Sequence, residues 1–78
     1  MHKVEKFLRT LDPKRRRRTV AVLRSIQANN LEYLDIRPLE GLKGHFRCRM
    51  GNIRFLFIRG DNANIVYDAD FRGNIYKK

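Results

Sequence analysis

The first third of the chain has the hydrophobic spacing of two consecutive helices. Apolar residues recur at the i, i+3, i+4 and i+7 positions of an amphipathic helix, namely Val4, Phe7, Leu8 and Leu11. Asp12-Pro13 then ends this helix and begins a second one, because Asp is a favoured N-cap and Pro is favoured at the first helical position. The second helix continues through apolar positions to around Asn29-Asn30. The pattern therefore predicts a helical hairpin.

Residues 31–44 do not follow this helical spacing. Two glycines and a proline interrupt the segment, although three apolar residues alternate there with polar ones. Pro38 fits poorly in a central strand, because it cannot donate a hydrogen bond to a neighbouring strand. We therefore expect an irregular connection here, with room for a short extended piece.

From His45 onward the hydrophobic period changes to two, which is typical of strands. The predicted elements are, in order, a strand over 45–50, a hairpin turn at Gly51-Asn52, a strand over 53–59, a turn over 60–64 and a strand over 65–70. Residues 71–78 form a tail to which no element is assigned. The sequence thus predicts a single α+β domain over residues 1–78, with the N-terminal helical hairpin packed on one face of a small antiparallel β-meander.

The two-residue turn also predicts which residues of the first two strands lie opposite each other. One face is wholly apolar, so the helices must cover it. On this face Met50 lies opposite Ile53, Cys48 opposite Phe55, and Phe46 opposite Phe57. The opposite face holds three arginines, Arg47, Arg49 and Arg54, with Arg49 directly across from Arg54. Like charges in that position destabilise a strand pair by about 0.2–1 kcal/mol.

The local sequence offers these three arginines no carboxylate. An arrangement that lowers stability without a compensating contact is expected to be kept for function. Because the planar guanidinium group suits phosphate, the three arginines favour an anion-binding site. The alternative is a basic sheet face whose guanidinium groups are simply solvated.

Charge supports the first interpretation. The chain has 18 Lys+Arg against 8 Asp+Glu, a net charge of +10, which points to a polyanion or an acidic protein as partner. A run of cations falls at the start of the second predicted helix, where the helix dipole disfavours them: Lys14, Arg15, Arg16, Arg17 and Arg18. This run is interpreted as an RNA-binding strip that steers the ligand, and a solvated helix face is the alternative.

Other functional classes are disfavoured by composition. One cysteine and two histidines argue against a disulfide framework and a zinc site, and no metal or other cofactor is expected. Cys48 falls on the apolar face, where a buried hydrophobic role is expected rather than a nucleophilic one. No apolar run approaches the roughly 20 residues of a membrane span, and the N-terminal residues lack the apolar stretch of a signal peptide, so a cytoplasmic protein is expected.

Few residues are available for acid–base chemistry. His45 begins the first predicted strand on the arginine-bearing side, where it either contacts RNA or is an ordinary surface residue. Tyr67 is expected on the same side as Arg54, and Tyr76 lies in the basic tail. A tyrosine can donate a proton or stack on a base, and core packing is the alternative for Tyr67.

Several short motifs, taken in order, resemble the RelE/ParE superfamily of bacterial and archaeal toxins. They are the Leu39-Glu40-Gly41-Leu42 turn, the basic strand Phe46-Arg47-Cys48-Arg49, the hairpin Gly51-Asn52-Ile53-Arg54 with the apolar strand after it, Ile65-Val66-Tyr67, and Phe71-Arg72-Gly73-Asn74-Ile75-Tyr76. The resemblance spans essentially the whole chain. It implies the toxin of a toxin–antitoxin pair, bound in a hetero-oligomer by a cognate antitoxin. RelE-like members cut mRNA in the ribosomal A site by attack of the ribose 2′-hydroxyl, whereas ParE-like members poison DNA gyrase.

The resemblance also assigns roles to individual residues. It implies that four arginines hold the phosphate and stabilise charge in the transition state, namely Arg47, Arg49, Arg54 and Arg72. Tyr76 would stack on the RNA or protonate it. The chain departs from the family in two respects: no strand precedes the first helix, and arginine occupies both positions where the family often has lysine. Because arginine cannot be deprotonated in a protein, His45 and Tyr76 are the remaining candidates for the general base.

Three hypotheses follow from these features. The first is a ribosome-dependent endoribonuclease that acts on mRNA, and the second is a gyrase inhibitor on the same fold. The third is a degenerate, non-catalytic module that binds RNA or protein. We rank them in that order.

Overall fold

The computed structural model describes residues 2–71, which form two helices and a four-stranded antiparallel sheet. The elements are, in order, α1 (His2–Arg9), α2 (Pro13–Gln27), β1 (Asp35–Pro38), β2 (His45–Met50), β3 (Ile53–Ile58) and β4 (Ile65–Phe71). The strands pair in the order β1-β2-β3-β4, so each one neighbours the next along the chain. The predicted α+β architecture is confirmed. Neither helix in this range is long and apolar enough to cross a membrane.

The helical hairpin forms through the cap that the sequence predicts. Asp12 has the extended backbone of an N-cap, and its side chain accepts a hydrogen bond of 3.4 Å from the backbone N–H of Arg15. Pro13 opens α2, where its missing N–H is not needed. The helix ends at Gln27, and Asn29 takes a positive φ of 59° just beyond it, as a helix-terminating residue often does.

The short extended piece expected between the helices and the hairpin is β1, and it lies at the edge of the sheet. Pro38 is its last residue, which agrees with the exclusion of proline from central strands. The strand pairs with β2 so that Asp35 lies opposite Arg49 and Arg37 lies opposite Arg47.

The β2–β3 hairpin has the predicted register at every position. Gly51 adopts a positive φ of 57° in the turn, which glycine permits at no steric cost. Arg49 therefore lies opposite Arg54, and Cys48 opposite Phe55. On the other side of β3, the register with β4 shifts: Leu56 pairs with Asp68, whereas Phe57 pairs with Val66. Tyr67 is the extra residue of this β-bulge.

The hydrophobic core lies between the helices and one face of the sheet. Its buried members come from both layers: Val4, Phe7, Leu11, Leu23, Ile26, Cys48, Ile53, Phe55, Phe57, Val66 and Ala69. Thr19 is also fully buried, which the hydrophobic pattern did not predict, and its hydroxyl donates to the carbonyl of Arg15 at 2.8 Å. Both helices thus pack on the core side of the sheet, and neither covers the opposite, arginine-bearing face.

One buried side chain joins the end of α2 to the β3–β4 loop. The Nδ2 group of Asn64 donates to the carbonyl of Ile26 at 2.9 Å and to Oδ1 of Asn29 at 3.0 Å. Its Oδ1 accepts from the backbone N–H of Gly60 at 3.3 Å. The carbonyl of Ile26 also accepts from the backbone N–H of Asn29 at 3.0 Å, so Asn64 adds a second hydrogen bond at the end of α2 and ties that end to the β3–β4 loop.

Asn64→Asp should therefore destabilise the fold. The substitution replaces two donated hydrogen bonds with a carboxylate oxygen facing two acceptors, and we expect the free energy of unfolding to fall by about 3 kcal/mol. Asn62→Asp, the same change at an exposed position of the same loop, should lower it by less than about 0.5 kcal/mol. Urea unfolding of both variants measures the difference, and equal stability of the two would contradict the role given to Asn64.

Candidate nucleic-acid interface

The sheet face turned away from the helices carries a cluster of arginines on its first two strands. His45, Arg47 and Arg49 alternate along β2 with residues that face the core, so all three lie on this side. Arg37 on β1 lies directly opposite Arg47 and adds a further cation. We call this group of side chains, Arg37, His45, Arg47 and Arg49, the basic face.

The local sequence offers these arginines no carboxylate, but the fold brings one to them from β1. Asp35 of β1 lies opposite Arg49, with Oδ2 at 3.7 Å from the guanidinium Nε, and its Oδ1 is 3.8 Å from Nε of Arg37. Both ion pairs are exposed to solvent, where such pairs contribute about 0–1 kcal/mol. Because Asp35 reaches each guanidinium only through a long, solvent-exposed contact to Nε, a phosphate that binds the guanidinium in a bidentate manner can compete with it.

Arg54 does not share the surroundings of Arg49, although the two face each other across the hairpin. Its side chain is only 3% exposed, and Nη1 donates to the carbonyls of Gly51 at 3.1 Å and Ile53 at 3.3 Å. The buried Nε has no hydrogen-bond partner in the described part of the chain. The register also places a carboxylate opposite, that of Asp70 on β4.

A single anion-binding site was expected for the three arginines on this face, but they do not converge on one pocket. The guanidinium of Arg49 is directed towards β1, whereas that of Arg54 is buried against the hairpin turn. The contacts of Arg54 are those of a structural residue that ties the turn to β3, and its expected role as a phosphate ligand stays untested.

His45 is held in a defined orientation by a tyrosine from β4. Its Nδ1 lies 3.0 Å from the hydroxyl of Tyr67, and the two rings meet edge to face with centroids 5.6 Å apart. Burial, and secondarily the negative charge of Asp68, raise the pKa of Tyr67, so its hydroxyl stays protonated at neutral pH. The imidazole is half-buried and has no other hydrogen-bond partner within residues 2–71.

In the basic run at the start of α2, some guanidinium groups are hydrogen-bonded to other parts of the fold and the other cations are not. Arg16 donates from Nε to the carbonyl of Leu8 at 3.0 Å and from Nη2 to that of Leu11 at 2.7 Å. It therefore places a cation on the carbonyl end of α1, where the helix dipole favours one. Arg15 donates to the side chain of Asn52 in the hairpin turn. The remaining members, Lys14, Arg17 and Arg18, are exposed to solvent.

Cys48 is buried in the core as predicted. Burial, together with the nearby charge of Asp35, raises the pKa of its thiol to about 11. The thiol is therefore protonated and unreactive at neutral pH. Within the described residues, no three His, Cys, Asp or Glu side chains gather into a group that could hold a metal ion.

Two of the predicted site residues, Arg72 and Tyr76, lie outside the described residues. Conversely, sequence reasoning missed the contributions of Asp35 and Arg37. Polar Asp35 and Arg37 flank apolar Ile36, and this alternation is a weak signal for a strand. Pairing of that strand with β2 places Asp35 and Arg37 on the same sheet face as Arg47 and Arg49. The contact between Tyr67 and His45 had no signal in the sequence, since it depends on the bulge in β4.

Arg54→Ala should lower stability, because it leaves the carbonyls of Gly51 and Ile53 without their donor and empties a buried volume. We expect a loss of about 2 kcal/mol in the free energy of unfolding. Arg49→Ala, directly opposite and exposed, should change it by less than about 0.5 kcal/mol. Thermal and urea unfolding of both variants provide the comparison; an Arg54→Ala protein as stable as the native chain would contradict the structural role.

Comparison with known proteins supports the fold described above. No protein-family model matches this sequence, and no curated protein matches it either. Among solved structures, the chain is similar to a chain in the crystal structure of the RelB–RelE antitoxin–toxin complex from Methanococcus jannaschii, with 24% sequence identity and a TM-score of 0.73. The match covers 92% of this chain and 87% of that one. The two chains thus share an architecture of helices packed on one antiparallel sheet.

Proposed function

We propose that this chain is the toxin of a toxin–antitoxin pair, and that its basic face binds the sugar-phosphate backbone of mRNA and promotes its cleavage. The observation that carries the proposal is the alignment of His45, Arg47 and Arg49 on one side of β2, next to Arg37 of β1. A titratable imidazole beside guanidinium groups is a combination suited to phosphodiester chemistry.

Binding rests on the spacing of the arginines. Alternate residues of a strand lie about 6.8 Å apart, so Arg47 and Arg49 offer two separate planar donors along one line. One guanidinium can hold the scissile phosphate by a bidentate contact while the other holds a neighbouring phosphate. Arg37, beside Arg47, extends the positive potential over the edge strand.

The proposed reaction is a transesterification within the RNA, in which the phosphorus exchanges its bond to the 5′-oxygen for a bond to the 2′-oxygen. Nε2 of His45 accepts the proton of a ribose 2′-hydroxyl, the 2′-oxygen forms a bond to the adjacent phosphorus, and the bond from phosphorus to the 5′-oxygen breaks. The arginines stabilise the negative charge that develops on the non-bridging oxygens. A proton passes to the departing 5′-oxygen from Tyr76, the residue to which the family resemblance assigns it. The products are a 2′,3′-cyclic phosphate and a 5′-hydroxyl.

The proposed partners are an antitoxin and the translating ribosome. The similar solved structure is described as an antitoxin–toxin complex, which supports an antitoxin as partner of this chain. The net charge of +10 favours acidic partners, both for an antitoxin segment and for RNA in the ribosomal A site.

Cleavage of translated mRNA tests this function. We expect the purified chain, added to a translating extract, to cut the message, with His45→Gln lowering the rate by about a hundredfold through loss of the base. Arg49→Ala should weaken cleavage by removing a phosphate donor. Arg9→Ala, which removes the same charge from an exposed position on α1, is the matched control and should cut normally. Primer extension on the message maps and quantifies the cuts.

Intact message with the native chain would contradict the cleavage function. Inhibition of DNA supercoiling by gyrase in the same preparations would instead support the second hypothesis. RNA binding without either effect would favour the non-catalytic module.

The ion pair at Asp35 yields an independent test of where RNA binds. Asp35→Asn releases Arg37 and Arg49 from their carboxylate, so we expect affinity for single-stranded RNA to rise by about threefold at low salt, with a smaller gain at high salt. Asp61→Asn changes the charge equally but lies in the exposed β3–β4 loop. Fluorescence anisotropy of a labelled RNA measures both, and equal gains would show that only net charge matters.

A further inference from the structure

We infer that the outward side of α2 is a second RNA-binding surface, separate from the basic face, so that one chain holds two segments of RNA at once. This surface consists of Lys14, Arg17 and Arg24, which we call the outer stripe. The inference rests on the proposed function only in taking the basic face as the first RNA-binding surface, and it does not depend on cleavage.

The outer stripe follows from the helical period of α2. Thr19, Leu23 and Ile26 are the buried residues of this helix, so they define the side that packs on the core. At about 100° per residue, the three cations of the outer stripe fall on the opposite side, and all three are exposed. With a rise of about 1.5 Å per residue, they form a row about 15 Å long on the surface of the helix.

These cations have no protein partner in the part of the chain that the structure describes. The ion pairs found there are those of Asp35 with Arg37 and Arg49, on the other side of the molecule. Lys14 lies in the first turn of α2, where the helix dipole disfavours a cation and no acidic residue offsets it. By contrast, Arg15 and Arg16 of the same basic run are hydrogen-bonded to other parts of the fold.

The fold places the outer stripe and the basic face on opposite sides of the domain. The core lies between the helices and one face of the sheet, and the basic face is the other face of that sheet. The outer stripe points away from the core in the opposite direction. Even the shortest extent of the protein is 22 Å, so a short RNA strand bound on one surface does not reach the other.

The chemistry of the outer stripe favours RNA over an acidic protein as its ligand. The centre of a protein–protein interface is depleted in charged residues and supplies apolar contacts. Ala21 is the residue that lies between the cations of the outer stripe, and none of the large exposed hydrophobic residues found within residues 2–71 lies on α2. A nucleic-acid backbone, in contrast, binds through phosphate contacts and the release of counterions.

Sequential capture of two RNAs tests the second surface. A short single-stranded RNA is fixed to beads, the chain is bound to it and the excess washed away, and a fluorescent copy of the same RNA is then added. We expect the native chain to retain the fluorescent copy. Arg17→Ala/Arg24→Ala should stay on the beads through the basic face and retain about fivefold less fluorescent RNA or lower. Arg37→Ala/Arg49→Ala should stay bound through the outer stripe and show a similar loss.

The matched control is Lys3→Ala/Lys43→Ala, which removes the same charge from exposed positions on neither surface and should retain the second RNA as the native chain does. Salt dependence gives an independent measurement in the Arg37→Ala/Arg49→Ala background. Adding Arg17→Ala/Arg24→Ala there should lower the slope of log affinity against log salt by about 1.4, since each phosphate contact on a single strand contributes about 0.7. An equal change on adding Lys3→Ala/Lys43→Ala would show that only net charge matters and would overturn the inference.

The capture experiment has further outcomes that decide the matter. Equal retention by the native chain and Arg17→Ala/Arg24→Ala, or no second RNA on the native chain, would overturn the inference. Retention of a fluorescent polyglutamate peptide in place of the second RNA would contradict it and assign the outer stripe to an acidic protein. Capture through the outer stripe by a chain that leaves translated mRNA intact would uphold the inference and contradict the cleavage function, whereas cleavage without a second capture would do the reverse.

Discussion

The pairing of β2 with β3 is the constraint on which both the core and the candidate site depend. Side chains alternate across a strand, so the register set at Gly51-Asn52 decides at once which residues reach the helices and which reach the opposite side. A shift of β2 by one residue relative to β3 would turn Arg47 and Arg49 towards the core and Cys48 away from it. The hydrophobic effect on one face thus places the cations together on the other.

The arginines that share this hairpin differ in function because their surroundings differ. Arg54 donates to backbone carbonyls and is buried, so its guanidinium belongs to the fold. Arg49 remains exposed, and within residues 2–71 its contact is a solvent-screened ion pair to Asp35. The basic run shows the same division: both Arg16 and Arg17 are exposed, but Arg16 donates to carbonyls at the end of α1, whereas Arg17 makes no such hydrogen bond within residues 2–71. A count of positive charges therefore overestimates how many are available to a ligand.

Charged side chains are distributed unevenly over the sheet face turned away from the helices. Asp35 lies among the arginines of β1 and β2, whereas Asp68 and Asp70 lie on β4, at the opposite edge. The basic face on β1 and β2 is therefore the part of this side that attracts a polyanion. The imidazole of His45 belongs to this basic face, and its tyrosine partner comes from β4, across β3.

Sequence alone determined the features that depend on near neighbours along the chain. These are the capped start of α2, the glycine turn, the β2–β3 register, the burial of Cys48 and the position of the arginines on one face. Only the tertiary structure decided which distant segments meet: Asp35 beside Arg49, Asn64 against the end of α2, and Tyr67 against His45. Local patterns report steric preference and hydrophobic period, which are properties of a few adjacent residues. Contacts between separate strands and loops depend instead on how those segments pack, on the edge position of β1, and on a bulge that no residue pattern in β4 reveals.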